Sequence, residues 1–489
     1  MKVLAVASEA VPFAKTGGLA DVVGALPRAL AARGHDVRVV MPRYRHIDVK
    51  KERLRLVLPE ALVHFPARLI RGRVFEGHLP NSSVPVYFVD SPDLFARPSL
   101  YGENGKDYAD NPVRFAFFDM AVIWMLKGLA WAPDIIQCND WHSALLPVFL
   151  KTLGVLRTDP FFAPCRTLFT VHNLAYQGLC GPEALDAVGL PRPFFHAECM
   201  EFWGRLSYLK GGIAFSDWIS TVSPRYAREI LTREFGCGLE GFIAHRRDRL
   251  EGILNGVDYA TWNPETDPLI PRNYGPDNLS GKAACKRALQ RILRWPIDGK
   301  IPIIGMIGRL DPQKGINLVL SALPALERLG VRLVILGSGR PAYHRKLERA
   351  RRRHPERLRV CVGFDEKLAH TIQAGADAFL MPSRYEPCGL SQMFGLKYGT
   401  VPIVRSTGGL ADTVSHATPQ AIREGTATGF LFSRYRVEDL LGAVAHAVAV
   451  HRETPDVWRQ IQTCGMRKDF SWNRSAEAYE RLFLRILAG

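Results

Sequence analysis

The sequence predicts an α/β chain of two doubly wound, parallel-sheet domains. Three observations predict it. At 489 residues the chain exceeds what one hydrophobic core normally organises, and 47% hydrophobic residues suffice for two. Short apolar runs recur along its length with helical stretches between them, the pattern of strands buried on both faces. The hexapeptide Thr16-Gly17-Gly18-Leu19-Ala20-Asp21 also returns letter for letter as Thr407–Asp412. That repeat suggests two similar halves, each offering a glycine loop to a shared cleft.

The first half opens on a strand, Val3–Ala7. Lys15 and the first glycine loop follow, then a helical stretch to Ala32 that stops at Gly34. Strand, glycine loop and helix open a Rossmann-like nucleotide-binding unit, because the helix start offers unpaired N–H groups to a phosphate. The loop lacks Gly-x-Gly-x-x-Gly. It is not a Walker loop either, since Lys15 precedes the glycines. Further strands are expected at Arg38–Met41, Val84–Val89, Asp134–Cys138, Thr167–Val171, Trp218–Val222 and Gly252–Leu254. Polar residues gather where two of them end. Asn139-Asp140-Trp141-His142 follows one and His172-Asn173 the other, and ligands bind beyond the carboxyl ends of such strands. His142 lies in an aromatic run and reads as packing. His172, flanked by Asn173 and close to Gln177, reads as a site residue.

The irregular stretch Asn255–Pro276, rich in Pro, Gly and Asn, is the expected domain boundary. It gives a first domain over 1–257, a second over 258–469, and a tail, 470–489, that completes the first. A helix over Lys282–Leu293 leads into the second series. Ile303–Ile307 runs into Gly308-Arg309-Leu310-Asp311-Pro312-Gln313-Lys314-Gly315. Leu333–Leu336 and Arg359–Val362 follow, the latter running into Gly363-Phe364. Ala378–Met381 leads to a turn carrying Glu386, Gly389, Leu390 and Ser391, and Val401–Val404 to Thr407. A helix over Ala476–Leu487 closes the chain.

Charge and composition narrow the function. The 64 basic and 48 acidic residues leave a net charge of +16, which fits an acidic ligand. The densest basic run, Arg345–Arg353, is interspersed with Leu and Ala and reads as the solvated face of a helix, not a nucleic-acid surface. Nine scattered cysteines without a Cys-x-x-Cys pair exclude a disulfide framework or zinc knuckle and point to a reducing compartment. Five apolar residues before Ser8-Glu9 are too few for a signal-peptide core, and no apolar run approaches the ~18 residues of a membrane span. A cytoplasmic protein with no membrane or nucleic-acid partner is expected.

Arg309 and Lys314, with Lys15, can neutralise a diphosphate. Glu386, His172, Asn173 and Asp140 suit sugar hydroxyls. Together they suit group transfer from a nucleotide sugar. No two aspartates are separated by one residue, so no metal and no cofactor are expected. No carboxylate pairs with Glu386 as in a glycosidase, so Glu386 is not expected to be a nucleophile. Cys388 reads as a small side chain packed at a tight turn.

Lys15-Thr16-Gly17-Gly18-Leu19, the Gly308–Gly315 stretch and Glu386-Pro387-Cys388-Gly389-Leu390 resemble the bacterial glycogen synthase and plant starch synthase family, and the similarity spans essentially the whole chain. The resemblance implies a GT-B fold: two Rossmann-like domains facing a deep interdomain cleft, with the last helix returning to the first. It implies a retaining transfer of glucose from ADP-glucose to the non-reducing end of an α-1,4-glucan such as glycogen, with a UDP-glucose donor or another glucan as the alternative. It places Lys15 and Gly18 at the donor's phosphates, in the loop that includes Gly17 and Asp21, with Arg309 and Lys314 on the distal side of the diphosphate. Gly389, Leu390 and Ser391 offer donors at the Glu386 turn, and Thr407 joins the donor-binding set. His172, Asn173, Asn255, Asp140 and Glu386 surround the transferred glucose. Tyr101 lies on a sugar-side lid, and Phe364 stands where the family has an aromatic under the adenine. Phe394 occupies the position at which many retaining GT-B enzymes carry a second, ribose-binding Glu.

Overall fold

Seven parallel strands with an antiparallel hairpin at one edge form the main sheet of the first unit in the computed structural model, which describes every residue except Asn104. In spatial order they are Leu250–Gly252, Trp218–Thr221, Arg166–Val171, Ile135–Asn139, Lys2–Val6, Asp36–Pro42 and Pro85–Asp90, then the hairpin Arg68–His78 and Arg55–Phe65. Val3, Leu4, Ala5 and Val6 are all buried, as a strand covered on both faces requires. The chain runs outward from Lys2–Val6 in one direction and from Ile135–Asn139 in the other. The strand order therefore reverses between these two neighbours, which pair in parallel.

The hairpin was not among the expected strands, and the strand expected over Gly252–Leu254 lies at Leu250–Gly252. In the outer arm, at the sheet edge, Ala61, Val63 and Phe65 are buried while Leu62 and His64 between them face out. The exposed Leu62 blurs the alternation that marks an edge strand.

The helix Gly18–Ala32 ends as expected, with Gly34 in the left-handed region at φ +88°. Its buried face, Val22, Ala25, Leu26, Ala29 and Leu30, packs against Trp472, Ala476, Tyr479, Leu482, Phe483 and Ile486 of the closing helix, Trp472–Ala488. The Arg33 guanidinium and the His35 ring both meet the Glu480 carboxylate, at 2.9 and 3.1 Å, and fix the register of this pair.

The second unit carries six parallel strands in the order Leu358–Val362, Arg332–Gly337, Ile303–Ile307, Ala378–Met381, Val401–Arg405 and Phe430–Phe432. The last was not expected; three residues make a weak signal in isolation. Here the order reverses between Ile303–Ile307 and Ala378–Met381. The basic run lies on Pro341–Arg353, where only Leu347 is buried, and Arg351 bonds Glu348 of its own helix: a solvated face.

The units comprise Met1–Val222, Ala227–Ile253 and Trp472–Gly489, and Ser223–Tyr226 with Leu254–Ser471. The division thus falls after Ile253 rather than Val257, and Phe470 and Ser471 belong to the second unit. Ser223–Tyr226 goes with the second unit because the Ser223 hydroxyl donates to the Pro387 carbonyl at 2.7 Å and the Arg225 N–H to the Asp412 carboxylate at 2.8 Å. Among the described residues no helix is long and apolar enough to cross a membrane.

Phe483→Ala empties a fully buried position between the two packed helices. It should cost the first unit about 3–5 kcal/mol, read as a lower denaturant midpoint. An unchanged midpoint would show that the closing helix contributes little to that core.

Candidate functional site

Lys15, Asp140, Arg309, Lys314 and Glu386 follow the strands at the two places where strand order reverses, which is where open parallel sheets leave a crevice beyond their carboxyl ends. Each unit has its own set.

In the first unit the glycine loop follows Lys2–Val6 and Asp140 follows the neighbouring Ile135–Asn139. Glu9, only 3% exposed, organises the loop. Its carboxylate accepts the Thr16 N–H, the Thr16 hydroxyl at 2.6 Å, the Gly17 N–H at 3.3 Å and the Tyr101 hydroxyl at 2.6 Å. Tyr101, placed on a lid by resemblance, is tied to the base of the glycine loop, with its ring 4.5 Å from His142. Lys15 and Asp21 pair at 2.7 Å near the surface. Added Cβ atoms at Gly17 and Gly18 would meet nothing within 4 Å. Folding therefore does not demand glycine there, whereas a ligand approaching the backbone would.

The Asp140 carboxylate accepts the His172 N–H at 2.7 Å and the Asn173 N–H as well. Burial raises its pKa to about 7 against the pull of those two bonds, and the neighbouring Glu9 pushes the same way. The Asn139 amide nitrogen donates to the Val6 and Gln137 carbonyls, so its oxygen faces His172 Nε2 at 2.8 Å. His172 thus carries its proton on Nε2 and keeps Nδ1 as an acceptor. Burial lowers its pKa to about 3, so the ring is neutral at physiological pH. His142 is packing: its ring lies 4.0 Å from Trp141 and 4.8 Å from Phe115.

In the second unit the loop after Ile303–Ile307 and the turn after Ala378–Met381 bring Lys314 to Glu386. The ammonium lies 2.9 and 2.6 Å from the two carboxylate oxygens, and the buried Ser383 hydroxyl adds a third bond at 2.9 Å. The sequence reading gave Lys314 to the phosphates and Glu386 to the sugar, and did not foresee that they pair. Asp311 caps the Pro312–Lys314 turn by accepting the Lys314 N–H at 3.2 Å. Arg309 donates to the Gln313 side chain at 3.1 Å, and Gln313 in turn to the Tyr385 carbonyl at 3.3 Å.

The turn is closed from behind by the repeated hexapeptide. A Cβ on Gly408 would stand 1.9 Å from the Glu386 carbonyl oxygen, and the Gly409 N–H donates to that oxygen at 3.2 Å. The expectation that both copies offer a glycine loop to a ligand therefore fails for the second: its glycines are filled by protein backbone, and Thr407 is fully buried. Cys388 is buried too, with its thiol pushed up to about 12 by burial while the Asn255 N–H bonds the sulfur. The Asn255 amide oxygen is buried and has no hydrogen-bond partner among the described residues. Gly389 takes φ +74° and leads to Leu390 and Ser391, both partly exposed at the start of Ser391–Lys397. Phe364 is 83% exposed at the end of the edge strand, with Arg332–Gly337 between that strand and the Lys314 loop's. Phe394 stacks at 4.1 Å on Trp262, whose other face carries His370 at 3.8 Å.

Sequence reasoning gave no role to Glu9, Ser383 and Gly315, and named Asn139 only as part of a polar run. Glu9 could have been found, since a carboxylate just after the first strand, in a glycine loop, asks for a partner.

Comparison with known proteins bears on the family. A family profile described as starch synthase catalytic domain matches residues 2–245, and one described as glycosyl transferases group 1 matches residues 292–460. The glycogen synthase of Anaeromyxobacter dehalogenans is 48% identical, with 100% of each chain covered. Glycogen synthase 1 of Methylococcus capsulatus is 46% identical over 100% of this chain and 97% of its own. The solved catalytic domain of starch synthase IV from Arabidopsis thaliana, bound to ADP and acarbose, superposes with a TM-score of 0.91 at 33% identity, covering 100% of this chain and 99% of that one. Sucrose-phosphate synthase from Thermosynechococcus elongatus shares the fold, with a TM-score of 0.62 at 19% identity, covering 100% and 99%. The chain belongs to the glycogen synthase and starch synthase family, and it is a glucosyltransferase of the GT-B fold.

Proposed function

We propose that the chain transfers glucose from ADP-glucose to the non-reducing end of an α-1,4-glucan with retention of configuration. The observation that carries the reading is the Lys314–Glu386 pair, set at the strand-order reversal of the second unit. In the reaction the bond from the glucose C1 to the diphosphate oxygen breaks, and negative charge grows on that diphosphate. Lys314 and Arg309 are cations held in place beforehand, so they stabilise this charge without reorganising. The acceptor hydroxyl attacks C1 on the face the phosphate leaves, and its proton passes to the departing phosphate. Glu386 accepts from the sugar hydroxyls and favours the positive charge that develops at C1.

The first unit's part is to hold the transferred glucose. Neutral His172 offers Nδ1 as an acceptor, and Asp140 fixes the backbone of His172 and Asn173. Lys15 and the open backbone of Gly17 and Gly18 are assigned to donor phosphate. Phe364 is assigned to the adenine, which an exposed aromatic suits. Fixed cations do the electrostatic work that a metal ion does in other nucleotide-sugar transferases, so no metal is assigned. A cytoplasmic location is assigned with this reading.

A donor screen tests the reading: ADP-glucose with glycogen should release ADP and lengthen the glucan, with UDP-glucose the poorer donor. Preference for UDP-glucose would overturn the donor assignment, and no transfer from either would overturn the function. The same assay run with a strong chelator should lose little rate; abolition by chelation and rescue by Mg²⁺ would mean that the site holds a metal.

Lys314→Ala should slow turnover by ~10²-fold or more, the scale of losing one donor to a developing anion. Near-normal turnover would remove Lys314 from the chemistry. Cys388→Ala should keep substantial activity, because a buried thiol pushed up to about 12 supplies no thiolate at neutral pH. Complete loss of activity with the fold intact would give that sulfur a chemical role.

A further inference from the structure

Trp203 is 84% exposed. It stands at the tip of a hairpin whose arms are Glu201–Phe202 and Arg205–Ser207, with Phe202 facing Arg205. Trp203 and Gly204 are therefore a two-residue connection, and both have left-handed backbone, at φ +52° and +76°. Two such residues make a type I′ turn, which favours Asn-Gly. A bulky aromatic at its first position is an outlier. Turn chemistry does not account for tryptophan here, and neither does burial.

The frame beneath the ring is firmly built. The Gly204 N–H donates to the Glu201 carboxylate at 2.6 Å. The Lys210 ammonium, on a buried residue, donates to the carbonyls of Ala197 at 2.5 Å and Glu201 at 2.6 Å. Gly238 lies against the tip: a Cβ there would stand 3.0 Å from the Phe202 ring and 3.4 Å from the Trp203 indole nitrogen. The neighbouring Cys237 carbonyl accepts the Gln177 side-chain amide at 3.1 Å, and the Gln177 carbonyl accepts the Leu209 N–H at 3.1 Å. Gln177 belongs to the stretch that begins at His172-Asn173, and Tyr176 beside it is also exposed. The hairpin tip thus lies against Gly238, whose neighbour Cys237 is bonded to Gln177 in the segment that carries the sugar-side residues of the first unit.

We propose that Trp203 is a platform for the acceptor glucan: the flat C–H face of a glucose unit, some way along the α-1,4-linked chain from the end being extended, stacks on the indole. A pyranose is apolar on its faces and polar around its rim, and tryptophan matches it with a broad apolar face and one N–H at the edge. A rigid ring also loses little conformational freedom on binding. The inference rests on the glucan-transfer reading above and assigns the acceptor, not the donor.

The test is Trp203→Asn, because asparagine suits the turn and the variant should fold with a thermal midpoint equal to or above that of the parent. Electrophoresis through native gels with and without glycogen measures binding in the absence of any donor. The variant should bind glycogen about fivefold or more weakly, and KM for glycogen should rise by a similar factor while KM for the donor holds. Trp203→Phe, which keeps a ring, should recover most of the affinity. A folded Trp203→Asn protein that binds glycogen as the parent does would overturn the proposal, as would a parent chain that binds no glucan. Glycogen binding that depends on Trp203 in a chain that transfers no glucose would support the platform and sink the proposed function instead.

Discussion

The second unit's site depends on bare backbone meeting bare backbone. A Cβ on Gly315 would lie 2.1 Å from the Pro382 carbonyl oxygen, and its φ of +75° belongs to glycine in any case. That contact locks the loop after one central strand onto the turn after its neighbour. Lys314, one residue before, is thereby set against Glu386. From the other side Gly408 closes on the Glu386 carbonyl with the same economy of atoms. An ammonium and a carboxylate on flexible stems would find each other in many geometries. Here both stems leave backbone that cannot shift without a clash, which is the preorganisation that electrostatic catalysis requires.

Much of this was legible in the sequence, for identifiable reasons. Buried parallel strands are continuous apolar runs, so the central strands of both sheets stood out. Polar residues directly after them, Asp140, His172, Arg309 and Glu386, had few structural reasons to be there. The hairpin Arg55–His78 and the strand Phe430–Phe432 were harder: one has apolar residues on both faces, the other is too short to carry a pattern. Long-range pairing was not legible. Glu9 stood close enough to Thr16 and Gly17 to suggest a bond, but nothing in the order of residues says that it also takes Tyr101, or that Asn139 sets the tautomer of His172, because those pairs join segments distant in the chain.

The two copies of Thr-Gly-Gly-Leu-Ala-Asp show how far identity of sequence falls short of identity of role. In the first copy the residue before the second glycine is extended, the glycines are open, and Lys15 and Asp21 meet at the surface. In the second the glycines are filled by the Glu386 turn, and the Asp412 carboxylate accepts the Arg225 N–H. Both copies start a helix after a strand, yet Gly17 is extended and its counterpart Gly408 is left-handed at φ +45°. The neighbour differs too, and it decides whether a missing Cβ makes room for a ligand or for the protein itself.

The stack of Phe394, Trp262 and His370 bears on how this scaffold can change. Behind it, Asp267 accepts from His370 at 2.7 Å and from Tyr398 at 2.5 Å, and all three of these residues are buried. Phe394 is the outermost layer over that polar network. Replacing it with a carboxylate would uncover one face of the Trp262 indole and put a charge against that ring. The neighbouring positions would then have to change together, since residues in one stack and one hydrogen-bond network do not contribute independently. A single change at Phe394 would therefore disturb a whole stack, and this corner of the second unit can be rebuilt only as a set.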